Sequence, residues 1–69
     1  MDTREAVYLA IGVFWGQYRF APTYRELGRL TGLKSASTVK YHLDNLVRDG
    51  LIAYDPGKNR TVRIVEKNR

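Results

Sequence analysis

The chain has no cysteine, which excludes disulfide bonds and thiolate metal ligands and is typical of a protein of the reducing cytoplasm. Histidine occurs once, as His42 at the edge of a predicted apolar helix face, so we expect a half-buried packing residue and no metal site. The uncharged run from Ala6 to Gly16 is shorter than the roughly 20 apolar residues of a membrane-spanning helix, and no secretory signal is evident. The sequence therefore predicts a cytoplasmic protein that uses neither a membrane nor a metal.

Acidic residues are also scarce. The 69 residues include 7 Asp and Glu against 12 Lys and Arg, a formal charge of +5 with a pI near 9.9. Residues 34–69 hold eight of the basic residues and four of the acidic ones, so the positive excess is concentrated in the second half. This favours a polyanionic partner, although net charge alone is equally compatible with an ordinary basic surface. The short length predicts one small domain, 1–69, with no room for a second module.

The middle of the chain has the pattern of two short helices joined by a glycine turn. Thr23 precedes Glu26 by three residues, the spacing of a capping box, so we expect a helix from Thr23 to Gly32. Ser35 is a second N-cap candidate, followed by a helix over 36–49. The apolar stripe of that helix comprises Val39, Leu43, Leu46 and Val47. Its free polar face comprises Ser37, Lys40, Tyr41, Asp44 and Arg48. The arrangement matches a helix-turn-helix, whose second helix reads the major groove of DNA.

Another helix is expected near the N-terminus. Its apolar stripe comprises Val7, Ile11, Phe14 and Tyr18, with Tyr8 and Trp15 alongside. Leu9 and Val13 extend the apolar character to the far side, which is typical of a helix covered on more than one side. Gly12 and Gly16 lower helix propensity, and close approach of another backbone is one compensation. We expect them to let this helix pack tightly on its own neighbours, with self-association as the alternative.

After the second helix of the motif the chain becomes strand-like. Runs 51–54 and 61–65 are β-prone, and the segment 55–60 between them is rich in turn formers. In the second run Val62 and Ile64 are expected to face the helices. An isolated hairpin is marginal in water, so this one must pack on the helices as a wing.

These elements together predict an α+β, mostly α fold: a three-helix winged helix-turn-helix with a C-terminal β-hairpin wing. Phe20 and Ala21 precede Pro22, whose ring favours extended geometry before it, so a small third strand is expected there. The polar tail, 66–69, is expected to fray.

Candidate DNA contacts follow from side-chain size and charge. Small hydroxyl residues at the opening of the recognition helix permit close approach to base edges, and longer side chains beyond them reach further. The predicted base contacts are Ser35, Ser37, Thr38, Lys40 and Tyr41. The start of the preceding helix favours an anion through its free amides and dipole, and the wing carries basic side chains. The predicted phosphate contacts are Thr23, Tyr24, Arg25, Lys34, Lys58, Arg60 and Arg63. Ordinary helix capping is the alternative role for the hydroxyl residues.

The order and content of these motifs resemble the N-terminal DNA-binding domain of LexA repressors. The resemblance covers nearly the whole chain and is most specific over 35–43, S-x-S-T-x-x-Y-H-L, and the LVRDGLI that follows three residues later. It implies a bacterial or phage-type transcriptional repressor with a role in the SOS response, and it places the five predicted base contacts at or near base edges.

Two departures from that family affect what can be transferred. LexA repressors of this type usually carry other groups where this chain has Lys40 and Tyr41, so the operator sequence does not carry over. LexA repressors also continue into a domain with a serine–lysine self-cleavage dyad and the dimer contacts, whereas this sequence stops at Arg69. We therefore expect either a fragment or a stand-alone small regulator.

The expected partner is double-stranded DNA, with no cofactor and no small-molecule substrate. The protein is expected to be a monomer at micromolar concentration that pairs only on DNA. A winged helix used for protein contact in a larger assembly is the alternative, favoured by the apolar far side of the first helix. An enzyme is not expected, since the carboxylates are scattered, His42 lacks a nucleophile partner and no glycine-rich phosphate loop is present.

Overall fold

The computed structural model of the protein describes residues 2–65 and contains three helices followed by a two-stranded hairpin. The elements are α1 (Thr3–Tyr18), α2 (Tyr24–Thr31), α3 (Ala36–Arg48), β1 (Ile52–Ala53) and β2 (Arg63–Ile64). The strands pair antiparallel, with Ile52 opposite Ile64 and Ala53 opposite Arg63. This confirms the predicted winged helix-turn-helix. The tail 66–69, which the sequence predicts to fray, lies outside the described residues.

Side-chain caps fix the start of α2 and of α3, as the sequence predicts. Thr23 Oγ1 accepts a hydrogen bond from the Glu26 amide at 3.1 Å, and the Glu26 carboxylate accepts one from the Thr23 amide at 2.8 Å. Ser35 Oγ accepts from the Ser37 amide at 3.1 Å. Gly32 ends α2 with a φ of 80°, a left-handed conformation that costs glycine little. The caps and the glycine together define the short turn that sets α3 against α2.

The core consists of one face of each helix and is closed by the hairpin. Each of the three helices packs against the other two. The aliphatic side chains that are at most 2% exposed are Val7, Ile11, Leu27, Val39, Leu43, Leu46, Ile52 and Val62. Full burial of such a side chain contributes about 1.5–3 kcal/mol. Because the hairpin supplies Ile52 and Val62, its attachment to the helices stabilises two strands that would be marginal alone.

The second strand of the wing alternates as predicted. Val62 is buried and Ile64 half-buried, whereas Arg63 and Val65 are exposed. A hydrogen bond adds to the apolar contact, since Trp15 Nε1 on α1 donates to the Val62 carbonyl at 2.8 Å. The wing is therefore held to α1 by both burial and a directional bond.

The strands are shorter than the predicted runs 51–54 and 61–65. Side-chain bonds replace the ladder near the loop: the Asp55 amide donates to Thr61 Oγ1 at 2.9 Å, and that hydroxyl lies 3.3 Å from the Asp55 carbonyl oxygen. Tyr54 is buried, with its hydroxyl bonded to α3. The paired strands therefore end before Tyr54 and Asp55, because Tyr54 packs in the core and Asp55 bonds to Thr61.

The predicted third strand at Phe20 and Ala21 is wrong. Within the described residues the sheet has two strands, and the Phe20 ring packs 5.7 Å from the ring of Phe14 and 5.9 Å from that of Tyr18. Ala21 is buried, and its carbonyl accepts a hydrogen bond from the side chain of Arg60 at 2.9 Å. Tyr18, predicted as a core residue, is 48% exposed and joins this aromatic group at the end of α1.

One position of the predicted α3 stripe is also wrong, because Val47 is 42% exposed. Val39, Leu43 and Leu46 repeat at spacings of four and three and point into the core. Val47 follows Leu46 directly and is rotated from it by about 100° around the helix. Three inward positions are enough for this helix, and the fourth faces away.

The glycines of α1 do not serve the role expected of them. A Cβ atom at Gly12 or Gly16 would meet no atom within 4 Å, so tight packing of α1 on its own neighbours does not explain them. Gly28 in α2 is the opposite case, since a Cβ there would lie 2.8 Å from the Leu33 carbonyl oxygen. The turn after α2 folds closely over Gly28, and only a residue without a side chain permits that approach.

The same substitution at these two sites should therefore have opposite effects. We expect Gly28→Ala to lower the free energy of unfolding by about 1–3 kcal/mol, because the turn must shift to admit the methyl group. We expect Gly12→Ala to raise it by roughly 1 kcal/mol, since alanine is the better helix former and nothing obstructs it. Urea unfolding of both variants measures the difference. Equal effects would show that the turn is not closely packed on α2.

Candidate nucleic-acid interface

A cleft of about 600 Å³ opens between the start of α2, the following turn and the start of α3. It is lined by five of the predicted contact residues, namely Thr23, Tyr24, Arg25, Lys34 and Ser35. Asn59, from the wing loop, lines the same cleft. The helix-turn-helix and the wing thus meet at one place, although they lie far apart in sequence.

Backbone donors at the start of α2 are free at this cleft. The capping box uses the amides of Thr23 and Glu26, and the Leu27 amide donates to the Thr23 carbonyl at 3.0 Å. The amides of Tyr24 and Arg25 have no acceptor among residues 2–65. Such amides carry the partial positive charge of the helix N-terminus, which favours an anion.

Two tyrosines link the cleft to the wing and to α3. The rings of Tyr24 and Tyr54 pack edge to face with centroids 6.2 Å apart. The Tyr24 hydroxyl is buried and has no partner within the part of the chain that the structure describes. The Tyr54 hydroxyl donates to the Asp44 carboxylate on α3. Burial raises the pKa of Tyr54 and the bond to Asp44 raises it further, so this hydroxyl stays protonated and remains a donor.

The remaining predicted base contacts lie on the exposed face of α3 and do not line the cleft. They are Ser37, Thr38, Lys40 and Tyr41. Tyr41 is 63% exposed. Lys40 Nζ lies 3.7 Å from Asp44 one turn further on, with both side chains about half exposed. Such a pair contributes at most about 1 kcal/mol, so Lys40 can exchange this partner for another.

The basic residues of the wing differ in what they bind within the protein. Lys58 and Arg63 are exposed, and the only side-chain contact of Arg63 among residues 2–65 is a 3.3 Å bond to the Thr61 carbonyl. Arg60 is engaged far more: it bonds both carboxylate oxygens of Glu26 at 3.0 Å and the Ala21 carbonyl at 2.9 Å. The three wing residues predicted to contact phosphate are therefore not equivalent.

Glu26 joins the start of α2 to the wing. The hydrogen bond from the Thr23 amide lowers the pKa of Glu26 most, and the bond with Arg60 lowers it further, so the group is a carboxylate at neutral pH. Sequence spacing identified its capping role, but the partner 34 residues away leaves no local signal. Asn59 was missed for the same reason, since it lines the cleft only after the wing has folded back.

His42 is half-buried, as the sequence predicts, with its ring 5.3 Å from that of Tyr41. Its Nδ1 has no hydrogen-bond partner in the region from 2 to 65. Over the same residues, no group of three or more histidine, aspartate or glutamate side chains is placed to hold a metal ion. No helix in this part of the chain has the length and apolar character needed to cross a membrane.

Comparison with known proteins agrees with this geometry. The family model described as the LexA DNA binding domain matches residues 6–61. The LexA repressor of Lacticaseibacillus casei (strain BL23) is 46% identical over 65 residues, covering 94% of this chain and 29% of the relative. That of Oenococcus oeni is 48% identical over 48 residues, covering 70% and 23%. That of Bifidobacterium adolescentis is 37% identical over 67 residues, covering 97% and 26%.

The chain thus spans less than a third of the length of each of these relatives. The match nevertheless includes α1 from Ala6 onward, all of α2 and α3, and the wing up to Thr61, and so every residue that lines the cleft. The chain belongs to the LexA DNA-binding domain family.

Proposed function

We propose that residues 1–69 form one domain that binds double-stranded DNA in a sequence-specific way and represses transcription. The observation that carries this proposal is the cleft itself, where free amides of α2, the opening of α3 and a wing residue converge beside an exposed polar helix face. Family membership adds to it, since the matching model describes a DNA-binding domain. Repression is proposed because the relatives are named repressors.

In this proposal α3 reads bases in the major groove, which is wide enough to admit an α-helix. Ser37 and Thr38 are exposed in its first turn, where small side chains allow close approach. Ser35 Oγ already accepts from the Ser37 amide, but its hydroxyl hydrogen remains free to donate to a base. Lys40 and Tyr41 stand further along the same face and reach the next base pairs.

The cleft is proposed to hold the sugar–phosphate backbone beside that groove. The free amides of Tyr24 and Arg25, two residues that line the cleft, favour binding of an anion there. The exposed side chains of Arg25 and Lys34 add positive charge, and Thr23 contributes by capping the helix. Contacts of this kind position the protein without selecting sequence.

The wing is proposed to contact phosphates through Lys58 and Arg63. Both are exposed and have weak or no side-chain partners among the described residues. Arg60 was predicted to act with them, but its guanidinium is bound to Glu26 and Ala21, which favours a role within the protein.

The protein is further proposed to act by binding alone, without catalysis, and to reside in the cytoplasm with the DNA that it binds. A second function, protein contact, is favoured by one observation: the outer face of α1 is open, with Leu9 49% and Val13 62% exposed and free space above Gly12 and Gly16. We assign that face to weak contact between two copies on DNA, since half-sites about 10 base pairs apart suit paired helix-turn-helix domains.

The base-reading role predicts that two lysines respond differently to the same change. Lys40→Ala, like Ser37→Ala, should cost about 1–3 kcal/mol on the preferred site, much less on random duplex, and alter preference at one or two base pairs. Lys58→Ala should weaken binding to all duplexes alike. Selection of bound sequences from random DNA, followed by affinity measurements, tests this. A thermal midpoint that falls sharply with an unchanged specificity ratio would make Lys40 and Ser37 structural.

The phosphate contacts of the wing predict a change in salt dependence. Lys58→Ala and Arg63→Ala should each reduce the slope of log affinity against log salt by about 0.9, because one phosphate contact is lost. Arg29→Ala is the matched control, since this exposed arginine lines a separate groove with Val13 and Leu30 and should leave the slope unchanged. Loss of affinity for one sequence with the slope intact would show that the wing reads bases.

The oligomeric state is predicted to depend on DNA. The free protein should sediment as a monomer at micromolar concentration, and two half-sites should bind two copies more tightly than separate half-sites do. Leu9→Lys and Val13→Lys should remove that gain while leaving binding to one half-site intact. A stable free dimer that survives both substitutions would refute the weak association and the surface assigned to it.

A further inference from the structure

We propose that Arg60 is a positioning residue, which ties the wing loop to the start of α2 so that Lys58 and Asn59 are held at the phosphate-binding cleft. The inference rests on the proposed DNA-binding function and deepens it. It assigns to Arg60 a role different from that of the neighbouring basic residues.

The contacts of Arg60 reach across the molecule. Its two terminal nitrogens bond the two carboxylate oxygens of Glu26, each at 3.0 Å, in a paired geometry that only arginine provides. The nitrogen nearer to Ala21 also donates to the carbonyl of that residue at 2.9 Å. The guanidinium carbon lies 4.8 Å from the centre of the Phe20 ring, a cation–π contact. One side chain thus binds the loop before α2 and the first turn of α2.

The backbone of Arg60 supports the same reading. Its φ of 58° is left-handed, a conformation that residues with a Cβ rarely adopt. Such a conformation persists where the surroundings determine it. Here the bonds to Glu26 and Ala21 hold the Arg60 side chain, and the fixed side chain keeps the backbone of Arg60 in this conformation.

The rest of the loop has few other attachments to the helices. Its base is closed within the wing by Asp55 and Thr61, and the Lys58 amide donates to the Asp55 carbonyl at 3.1 Å. These bonds shape the loop but do not orient it toward α2. Asn59 directly precedes Arg60 and lines the cleft. The bond between Arg60 and Glu26 therefore places the wing residue that lines the cleft.

A direct phosphate contact by Arg60 is disfavoured by the same geometry. The guanidinium would have to leave a carboxylate and a carbonyl, and the negative charge of Glu26 would then lose its partner. Lys58 and Arg63 have no carboxylate partner among residues 2–65. The roles therefore differ: Lys58 and Arg63 supply positive charge to the DNA, and Arg60 holds the wing loop in place.

The experiment compares Arg60→Ala, Arg60→Lys, Glu26→Gln and the double variant Glu26→Gln with Arg60→Ala. In the free protein, amide order parameters for Lys58 and Asn59 should fall from near 0.85 to below about 0.6 in each variant. On a selected duplex, affinity should fall about three- to tenfold in each single variant while the salt slope stays unchanged. The double variant should bind no more weakly than either single one, because both remove the same bond.

Several outcomes would overturn the proposal. A salt slope reduced by about 0.9 in Arg60→Ala, with Glu26→Gln binding as tightly as the unaltered protein or more so, would make Arg60 a phosphate contact. Unchanged order parameters for the Lys58 and Asn59 amides would also show that the bond between Arg60 and Glu26 does not hold the wing loop. Arg60→Lys guards against global unfolding, since it keeps the charge and loses only the paired geometry. If the unaltered chain bound no duplex, the proposed DNA-binding function would be refuted. The order parameters would still test whether Arg60 positions the wing loop.

Discussion

The carboxylate of Glu26 is the group on which the arrangement of the site depends. It closes the capping box with Thr23, so it fixes where α2 begins and which amides remain free. The same carboxylate receives Arg60 and thereby binds the wing to that helix start. A single substitution at Glu26 would disturb a helix terminus and a loop 34 residues away. Because both of its oxygens are used inside the protein, Glu26 leaves little uncompensated negative charge beside a site proposed to bind phosphate.

The small size of the domain explains why such polar ties matter. A chain of this length buries a smaller fraction of its surface than a larger domain does, so apolar burial alone leaves little stability to spare. The core accordingly reaches from α1 through α3 to Ile52 and Val62, and the wing is needed to close it. The wing, which completes the core, also contributes Asn59 to the lining of the cleft. Stability and the shape of the proposed interface are for this reason coupled, and neither can be altered alone near the wing.

The sequence predicted features that depend on near neighbours and failed where distant contacts decide. The capping box, the left-handed Gly32 and the apolar spacing of α1 and α3 are local patterns. The structure confirms them, except that Tyr18 and Val47 at the edges of the two stripes are exposed. Phe20 was predicted to lie in a strand because the nearby proline favours extended geometry, yet its ring packs against the rings of Phe14 and Tyr18. The internal partner of Arg60 is another feature that the sequence did not predict, since Glu26 lies 34 residues away; the predicted phosphate contact of Arg60 rests on charge and position and remains a prediction. The predicted base and phosphate contacts remain predictions, since only their placement is known.

The availability of each basic residue for DNA follows from what it must give up inside the protein. Lys40 would leave one exposed carboxylate at 3.7 Å, an interaction that solvent already weakens, and Asp44 would keep the Tyr54 hydroxyl as a donor. Its release therefore exposes no unpaired buried charge. Arg60 would leave two oxygens of a carboxylate, a carbonyl and an aromatic face together. The residues proposed to read or neutralise DNA are thus those with weak internal partners. Arg60, which has several internal partners, lies between Lys58 and Arg63 in sequence, where we propose that it positions the wing and adds no phosphate contact.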